Sequence, residues 1–410
     1  MILKWLKNSG PGPLIAAAFI GPGTVTVCTL AGVGFGFALL WTIVLSIFAT
    51  IVLQEMSARL GIITQKGLSE IIKTEIKHPV FKFLAIGLIL SAIVIGNAAY
   101  EAGNITGGVL GLETIVGNPS FEIGDFSINI LSLIIGSIAF ILLYIGNYKV
   151  IEKALISLVI LMSLAFLITA IITKPNILQI LKGAFIPKFP KDSFLTIIAL
   201  IGTTVVPYNL FLHAALVKEK WKTKNDLQFA RKDTIIAVIL GGLVSMCIII
   251  SAASLQSEDV KNAADLAKGL EPLFGSFAKY FLAIGLFAAG ITSAITAPLA
   301  AAYVASGCLG WSSNMETKKF RAVWIIILGL GIVFSSLGIK PIDIIKFAQV
   351  ANGILLPVIA GFLIWIVNKG SVLGTFKNTI LQNILGFLIL GISILLSLAT
   401  LNKVFSLNVF

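Results

Sequence analysis

The sequence predicts an all-α polytopic membrane protein with about eleven transmembrane helices. Of its 410 residues, 58% are hydrophobic and only 12% are charged, and the mean hydropathy is +1.03. Soluble domains carry about 25% charged residues, so a chain this apolar needs lipid around it. Apolar runs of spanning length, separated by polar residues or by glycine and proline, recur along the chain. Two of these runs are interrupted in the middle.

The predicted spans form a single transmembrane domain over residues 1–410, because the loops between them are short and contain no separate soluble module. In chain order the spans are 12–33, 37–59, 80–109, 127–146, 151–173, 194–217, 232–254, 273–308, 320–337, 341–367 and 379–400. We expect spans 1–5 (about 10–173) and spans 6–10 (about 190–367) to be two repeats of inverted orientation. Span 11, about 379–400, is an extra helix.

Basic residues predict the orientation of the spans. The chain carries 30 Lys and Arg against 18 Asp and Glu, a net charge of +12, and most of the basic residues fall in short loops on one side of the membrane. This bias marks the cytoplasmic side, so we expect a multi-pass plasma-membrane protein with a cytoplasmic N-terminus. Orientation in lipid explains the charge, and nucleic acid is not expected as a partner. The exception is the outer loop between spans 5 and 6, which carries Lys174, Lys182, Lys188 and Lys191.

Span 1 is interrupted by Gly21-Pro22-Gly23, which cannot continue a helix. Backbone groups freed at mid-membrane persist only where protein or a wet cavity covers them. We therefore expect the half-helix that starts near Thr24 to point its partial positive end at a cavity. The alternative is a simple kink, in which Thr24 and Thr26 bond back to their own helix.

Span 6 is interrupted in the same way over residues 203–209, half a chain later. Here we expect Pro207 to end the first half-helix and Tyr208 and Asn209 to start the second. Thr203 and Thr204 supply hydroxyl groups, and a proline kink is again the alternative. Two interrupted helices at corresponding places in two halves indicate the binding site of a transporter. The two breaks therefore predict a substrate site that includes Gly21, Gly23, Thr24, Thr203 and Thr204.

Short motifs spread along nearly the whole chain form a specific set. They are Gly10-Pro11-Gly12, Gly21-Pro22-Gly23, Phe37-Ala38-Leu39-Leu40-Trp41, Leu53-Gln54, 58–64, Pro207 with 209–213, 285–290, Gln349-Val350 and Leu356-Pro357. As a set they resemble the NRAMP (natural resistance-associated macrophage protein) family of metal-ion transporters. The resemblance implies a leucine-transporter-like fold in which helices 1 and 6 are unwound at mid-membrane. It also implies alternating access and transport of a divalent cation.

The sequence departs from this family at the metal site. The family's D-P-G-N motif places Asp and Asn where this chain has Gly21 and Thr24, and its Met and His flanking a proline are replaced by Val206 and Tyr208. Soft transition metals favour carboxylate, amide and thioether ligands. This chain offers only hydroxyl groups and backbone carbonyls at the corresponding positions. The resemblance thus adds Val206 and Tyr208 to the predicted site. Gln349 could line the cavity or could bond a neighbouring helix, and the resemblance favours the cavity.

Four residues are candidates for proton coupling. The family's acidic D-x-x-E pair aligns with Asn97 and Tyr100, and Glu101 lies one residue further on. An acid deep in an apolar helix is costly and usually functional, although Glu101 near the external end could also sit in water. His213 could relay protons or could be a hydrogen-bonded structural histidine.

The function expected is transport of a small solute or ion across the bilayer, without a cofactor. A divalent cation follows from the resemblance, and the lost soft ligands favour a hard ion such as Mg²⁺ over Mn²⁺ or Fe²⁺. The alternative is a small organic solute, a carboxylate or amino acid, which suits backbone N–H groups at half-helix N-termini. A channel lacks a visible filter motif. An enzyme is not expected either, since there is no H-E-x-x-H motif and the two histidines, His78 and His213, are far apart.

Overall fold

The computed structural model describes residues 20–123, 126–146, 149–255, 260 and 263–405, and within them nearly all regular structure is helical. The helices are α1 (Pro22–Phe35), α2 (Leu40–Thr64), α3 (Leu68–Glu75), α4 (Pro79–Val116), α5 (Ile130–Ile145), α6 (Lys149–Ile172), α7 (Ile177–Phe185), α8 (Phe194–Thr204), α9 (Pro207–Lys220), α10 (Leu227–Ala253), α11 (Ala263–Ala267), α12 (Glu271–Phe274), α13 (Ala278–Leu309), α14 (Lys318–Ser335), α15 (Pro341–Val367), α16 (Gly370–Leu373) and α17 (Ile380–Phe405). An antiparallel hairpin of β1 (Ser120–Ile123) and β2 (Phe126–Asn129), with Ser120 opposite Asn129, precedes α5.

The helices have the length and composition that a bilayer requires. In the described part of the chain, eight helical segments are long and apolar enough to cross a membrane, and α1 and α5 are shorter apolar helices. About 20 residues of helix span the hydrocarbon core, because each residue rises about 1.5 Å. Leucine, isoleucine and phenylalanine side chains are exposed on the outer faces of the helices, as lipid contact demands.

Each predicted span has a helical counterpart, but several predicted boundaries are wrong. α2 continues to Thr64 and α4 to Val116, beyond the predicted ends at 59 and 109. Residues 127–129, assigned to span 4, belong to β2. The first part of span 1, residues 12–19, lies outside the described residues.

The hairpin and four short helices, α3, α7, α11 and α16, were not predicted. They are short and carry polar or charged residues, so their sequences do not form apolar runs of spanning length. The division into two inverted repeats stays a prediction.

The long helix α4 packs against α13, α14 and α15, and the second half of the helix is buried among them. Its contact with α13 is close because glycines face each other. A Cβ on Gly290 would lie 2.8 Å from the Cα of Gly108 and 3.1 Å from the carbonyl oxygen of Asn104. Small residues at such positions let helix backbones approach within a membrane. On the other side of the bundle, α1 packs on α10, and α8 packs on α15.

A cluster of charged and polar groups around the buried Arg59 ties three elements together at one end of the bundle. The Arg59 guanidinium, 1% exposed, donates to the Phe376 carbonyl at 2.5 Å, to Asn378 Oδ1 at 2.6 Å and to Glu55 at 3.2 Å. Arg231 of α10 binds the other carboxylate oxygen of Glu55 at 2.8 Å. The cluster fixes the end of α2 to the start of α10 and to the segment before α17.

Candidate functional site

The first break ends at the start of α1, which begins at Pro22 rather than near Thr24. Gly21 has an extended backbone and is the N-cap residue, and its carbonyl accepts hydrogen bonds from the amides of Thr24 at 3.1 Å and Val25 at 3.2 Å. Proline suits the first helical position, since its missing N–H would be unpaired there and its φ is already helical. The predicted start was two residues late for this reason.

The second break separates α8, which ends at Thr204, from α9, which begins at Pro207. The prediction that Pro207 ends the first half-helix is therefore wrong, because the same first-position preference makes it the start of the second. Val205 and Val206 form the non-helical link between the two. Val206 is the buried N-cap residue of α9, and its carbonyl accepts from the Asn209 amide at 3.1 Å.

The two breaks meet through a pair of hydroxyl groups. Thr24 Oγ1 lies 2.8 Å from Thr203 Oγ1, although 179 residues separate them in the chain. Both side chains are buried, at 2% and 0% exposure. Two residues that the sequence predicted as parts of one site are thus in direct contact. We call this contact and the residues around it the junction.

Gln349 of α15 lies at the junction and touches both broken helices. A Cβ on Gly23 would come within 2.7 Å of the Gln349 Cδ. On the other side, Gly202 of α8 packs against the Gln349 main-chain carbonyl and lies close to the amide of Gly353. The Gln349 side chain is buried, and among the described residues its Oε1 has no hydrogen-bond partner. An amide oxygen without a partner in a buried polar site is a candidate ligand.

A pair of tyrosines joins the start of α9 to α4. Tyr208 and Tyr100 meet edge to face with ring centroids 5.4 Å apart. This contact brings Tyr208, a predicted substrate residue, to α4, which carries the predicted coupling residues. Both rings are buried.

Glu101 lies on α4 next to Tyr100 and is fully buried. Its Oε2 accepts a hydrogen bond from Asn104 at 3.3 Å, while Oε1 has no partner in the part of the chain that the structure describes. Its Cβ and Cγ pack on Gly331 of α14. The sequence left open whether Glu101 is buried in the protein or lies in water near the external end. In the structure it is buried.

Three other predicted residues use their side chains elsewhere. Thr204 donates back to the Leu200 carbonyl at 3.0 Å, the bond of a helix-internal threonine. Asn97 donates to the Ala297 carbonyl at 2.8 Å and so joins α4 to α13. His213 Nδ1 lies 2.5 Å from Gln54 Oε1 of α2.

Two residues that were absent from the predicted site carry buried polar groups close to the breaks in sequence. Asn209 is fully buried on α9, and neither of its amide atoms has a hydrogen-bond partner in the described ranges. The hydroxyl of Thr26, one turn along α1 from the break, is likewise buried without a partner. The sequence could have indicated Gly202, because this glycine directly precedes the polar pair Thr203 and Thr204. Asn209 could have been found from its place two residues after Pro207, at the start of α9.

The junction offers neutral oxygen atoms to a ligand. They are the hydroxyl oxygens of Thr24 on α1 and Thr203 on α8, and the amide oxygen of Gln349 on α15. Over the described residues, no group of three or more His, Cys, Asp and Glu side chains is arranged to hold a metal ion. Oxygen donors of this kind suit a hard cation and can also hydrogen-bond an organic group.

A helical membrane protein whose two interrupted helices meet at buried polar groups is a membrane transporter by its architecture. The family model described as natural resistance-associated macrophage protein-like matches residues 12–403. The chain therefore belongs to the Nramp family, whose members are membrane transporters and not enzymes.

Curated relatives match the chain over most of its length. The divalent metal cation transporter MntH of Caldanaerobacter subterraneus subsp. tengcongensis is 26% identical over 406 residues, covering 96% of this chain and 92% of the relative. The divalent metal cation transporter MntH of Bacillus subtilis is 27% identical over 408 residues, covering 95% and 92%.

Solved structures share the fold. The manganese transporter of Eremococcus coleocola, crystallised with an aromatic bis-isothiourea substituted compound, matches with a TM-score of 0.76 at 22% identity, over 97% of this chain and 86% of that chain. Mhp1, a nucleobase-cation-symport-1 family transporter, matches with a TM-score of 0.54 at 13% identity, over 97% and 94%. These matches confirm the leucine-transporter-like class and the family resemblance. The protein is embedded in lipid as a multi-pass chain, while its orientation and its assignment to the plasma membrane stay predictions.

Proposed function

We propose that this protein carries a divalent metal cation across the plasma membrane by alternating access, with the junction as its binding site. The observation that carries the proposal is the contact of Thr24 with Thr203, which places both interrupted helices at one buried polar point. Half-helices that end at a common site can move relative to each other and expose that site to either side. The names of the curated relatives supply the substrate class.

The donor set favours a hard, partly hydrated ion such as Mg²⁺ over Mn²⁺ or Fe²⁺. Mg²⁺ binds oxygen ligands and keeps several of its waters, so few protein ligands are needed. Thr24, Thr203 and Gln349 offer oxygen without sulfur or carboxylate. The relatives' names lend no support to this preference, which depends on the donor chemistry alone. Transport of a carboxylate or amino acid likewise has no support from the relatives.

Glu101 is the proposed coupling group. Its carboxyl is buried beside Tyr100, whose ring contacts Tyr208. A carboxyl that takes up and releases a proton here would be linked through these rings to the break in span 6. Asn97, hydrogen-bonded to Ala297, would have a structural role in this scheme. His213, beside Gln54, would serve at most as a second relay.

The test is uptake of Mn²⁺ and of Mg²⁺ into proteoliposomes, at equal and at opposed pH. Saturable uptake of either ion supports divalent transport, and a lower KM for Mg²⁺ supports the hard-ion preference. A lower KM for Mn²⁺ would overturn that preference and keep the transport class. No divalent flux from folded protein would overturn the proposal, and carboxylates and amino acids would then be assayed in the same vesicles.

Gly23→Val tests whether the junction is the site. A side chain at Gly23 would displace the Gln349 amide, so transport should be lost while membrane insertion is retained. The matched control is Gly34→Val on the same helix, where an added Cβ has nothing within 4 Å. Normal flux through Gly23→Val would place the substrate elsewhere.

A further inference from the structure

The helix α7 presents three different faces along its nine residues. Gly183 and Ala184 are buried and Ile180 is half-buried on the side that packs against α2. Gln179 and Lys182 form a narrow polar face. The remaining face is apolar and exposed. It consists of Ile177 (71% exposed), Leu178 (61%), Leu181 (49%) and Phe185 (71%).

Contacts with the corner between α1 and α2 fix the orientation of these faces. Gly183 packs against the main chain of Phe37, where a Cβ would lie 2.9 Å from the carbonyl carbon. Trp41 Nε1 donates to the Lys188 carbonyl at 3.1 Å, and its ring lies 5.1 Å from that of Phe189. The apolar face is therefore held outward by packing on the opposite side.

The charge of this segment is mostly of one sign. Residues 173–193, between α6 and α8, contain four lysines (Lys174, Lys182, Lys188 and Lys191) and one acid, Asp192. These are the lysines that run against the predicted orientation of the other loops. At the end of α6, which precedes this segment in the chain, Ile168, Ile171 and Ile172 are also exposed.

We propose that residues 174–191 form a docking surface for the headgroups of anionic phospholipids, with α7 lying in the membrane interface. A helix in this position buries its apolar face at the boundary of the acyl chains and keeps basic residues at the phosphates. Each lysine near an anionic surface strengthens binding by a factor of roughly five. The lysine-rich outer loop is then a lipid contact rather than an orientation signal. The inference does not depend on which solute is transported.

The first experiment measures the depth of α7 with nitroxide labels. Single cysteines replace Leu178, Leu181 or Gln179 in the full-length protein, with half-buried Cys247 changed to alanine. In bilayers containing phosphatidylglycerol, labels at 178 and 181 should be accessible to oxygen and shielded from an aqueous nickel complex. The label at 179 should be more accessible to nickel. Equal nickel access at all three positions would overturn the proposal. Dipolar broadening between labels would assign the face to a second copy of the chain and would also overturn it.

The second experiment tests the headgroup charge. Nickel access at position 178 should fall severalfold when phosphatidylcholine is replaced by phosphatidylglycerol. The variant K174Q/K182Q/K188Q/K191Q should lose this difference. The control variant K77Q/K232Q/K279Q/K340Q, which neutralises four lysines outside this segment, should keep it. A label that is equally immersed in both lipids, or a difference that survives the first variant, would refute the anionic contact.

Discussion

Gly202→Ala is the sharpest test of how the junction is built. Gly202 packs α8 against the main chain of α15 at Gln349. A methyl group there would lie 2.9 Å from the Gly353 amide nitrogen and closer still to the Gln349 carbonyl oxygen, whereas ordinary contact begins at 3.4 Å. Both obstacles are backbone atoms, so they cannot rotate away as a side chain could.

Because the Gln349 carbonyl oxygen is the closer obstacle, the two helices must separate there by more than about 1 Å. Overpacking of this kind costs about 1–3 kcal/mol in a well-packed core. Because Gln349 sits on the displaced segment, its amide should also shift from the Thr24–Thr203 contact. We expect a lower unfolding temperature together with a raised KM for the transported ion.

The assay compares thermal unfolding of purified protein and ion uptake in proteoliposomes for Gly202→Ala and Gly329→Ala. Gly329 lies within α14, and a Cβ there would have nothing within 4 Å. Both substitutions gain the same helix propensity of alanine, so the difference between them isolates the contact. If Gly202→Ala were as stable and as active as Gly329→Ala, the close approach of α8 and α15 would be refuted.

Three further predictions concern the coupling acid, the hydroxyl contact and the ion cluster. Glu101→Gln should remove the pH dependence of uptake while Glu113→Gln, near the end of α4, keeps it; an unchanged profile would reject Glu101 as the coupling group. In a double-mutant cycle, Thr24→Val and Thr203→Val should show a coupling of about 1 kcal/mol in unfolding free energy, and strict additivity would argue against their contact. Arg59→Gln should destabilise the protein by about 3 kcal/mol, because it removes the buried partner of several acceptors. Arg231→Gln, whose side chain is 44% exposed, should cost less than about 1 kcal/mol, and equal losses in the two unfolding measurements would contradict this reasoning.

Much of the fold followed from the sequence because lipid imposes a simple rule. A helix that crosses lipid makes its backbone hydrogen bonds internally and must be apolar over a spanning length. The helices α2, α4, α10 and α15 could therefore be recognised as runs of apolar residues. α3 and α7 were not, since helices that lie along a surface need only one apolar face. Pro207 was misjudged for a different reason. A proline between two helices can follow the end of the first or occupy the first position of the second. Here the non-helical backbone of Val205 and Val206 shows that Pro207 begins the second helix.

The candidate site was predictable in its position but less so in its membership. The two breaks located Thr24 and Thr203, whose contact spans the chain. The sequence could not show in which direction each side chain points. Thr204 is adjacent to Thr203, yet its hydroxyl turns back to its own helix, because a threonine in a last helical turn can bond the carbonyl four residues before it.

The neutrality of the junction has an electrical consequence. Gly21 and Thr24 carry no charge, and among the described residues no carboxylate lies at the junction to offset the charge of a divalent cargo. A bound ion would then carry both elementary charges through the membrane field. Each charge is worth about 2.3 kcal/mol per 100 mV, so an inside-negative potential of that size would favour inward movement by about 4.6 kcal/mol. We therefore expect the voltage dependence of transport to lie in the movement of the loaded carrier, while the empty, neutral junction returns without moving charge.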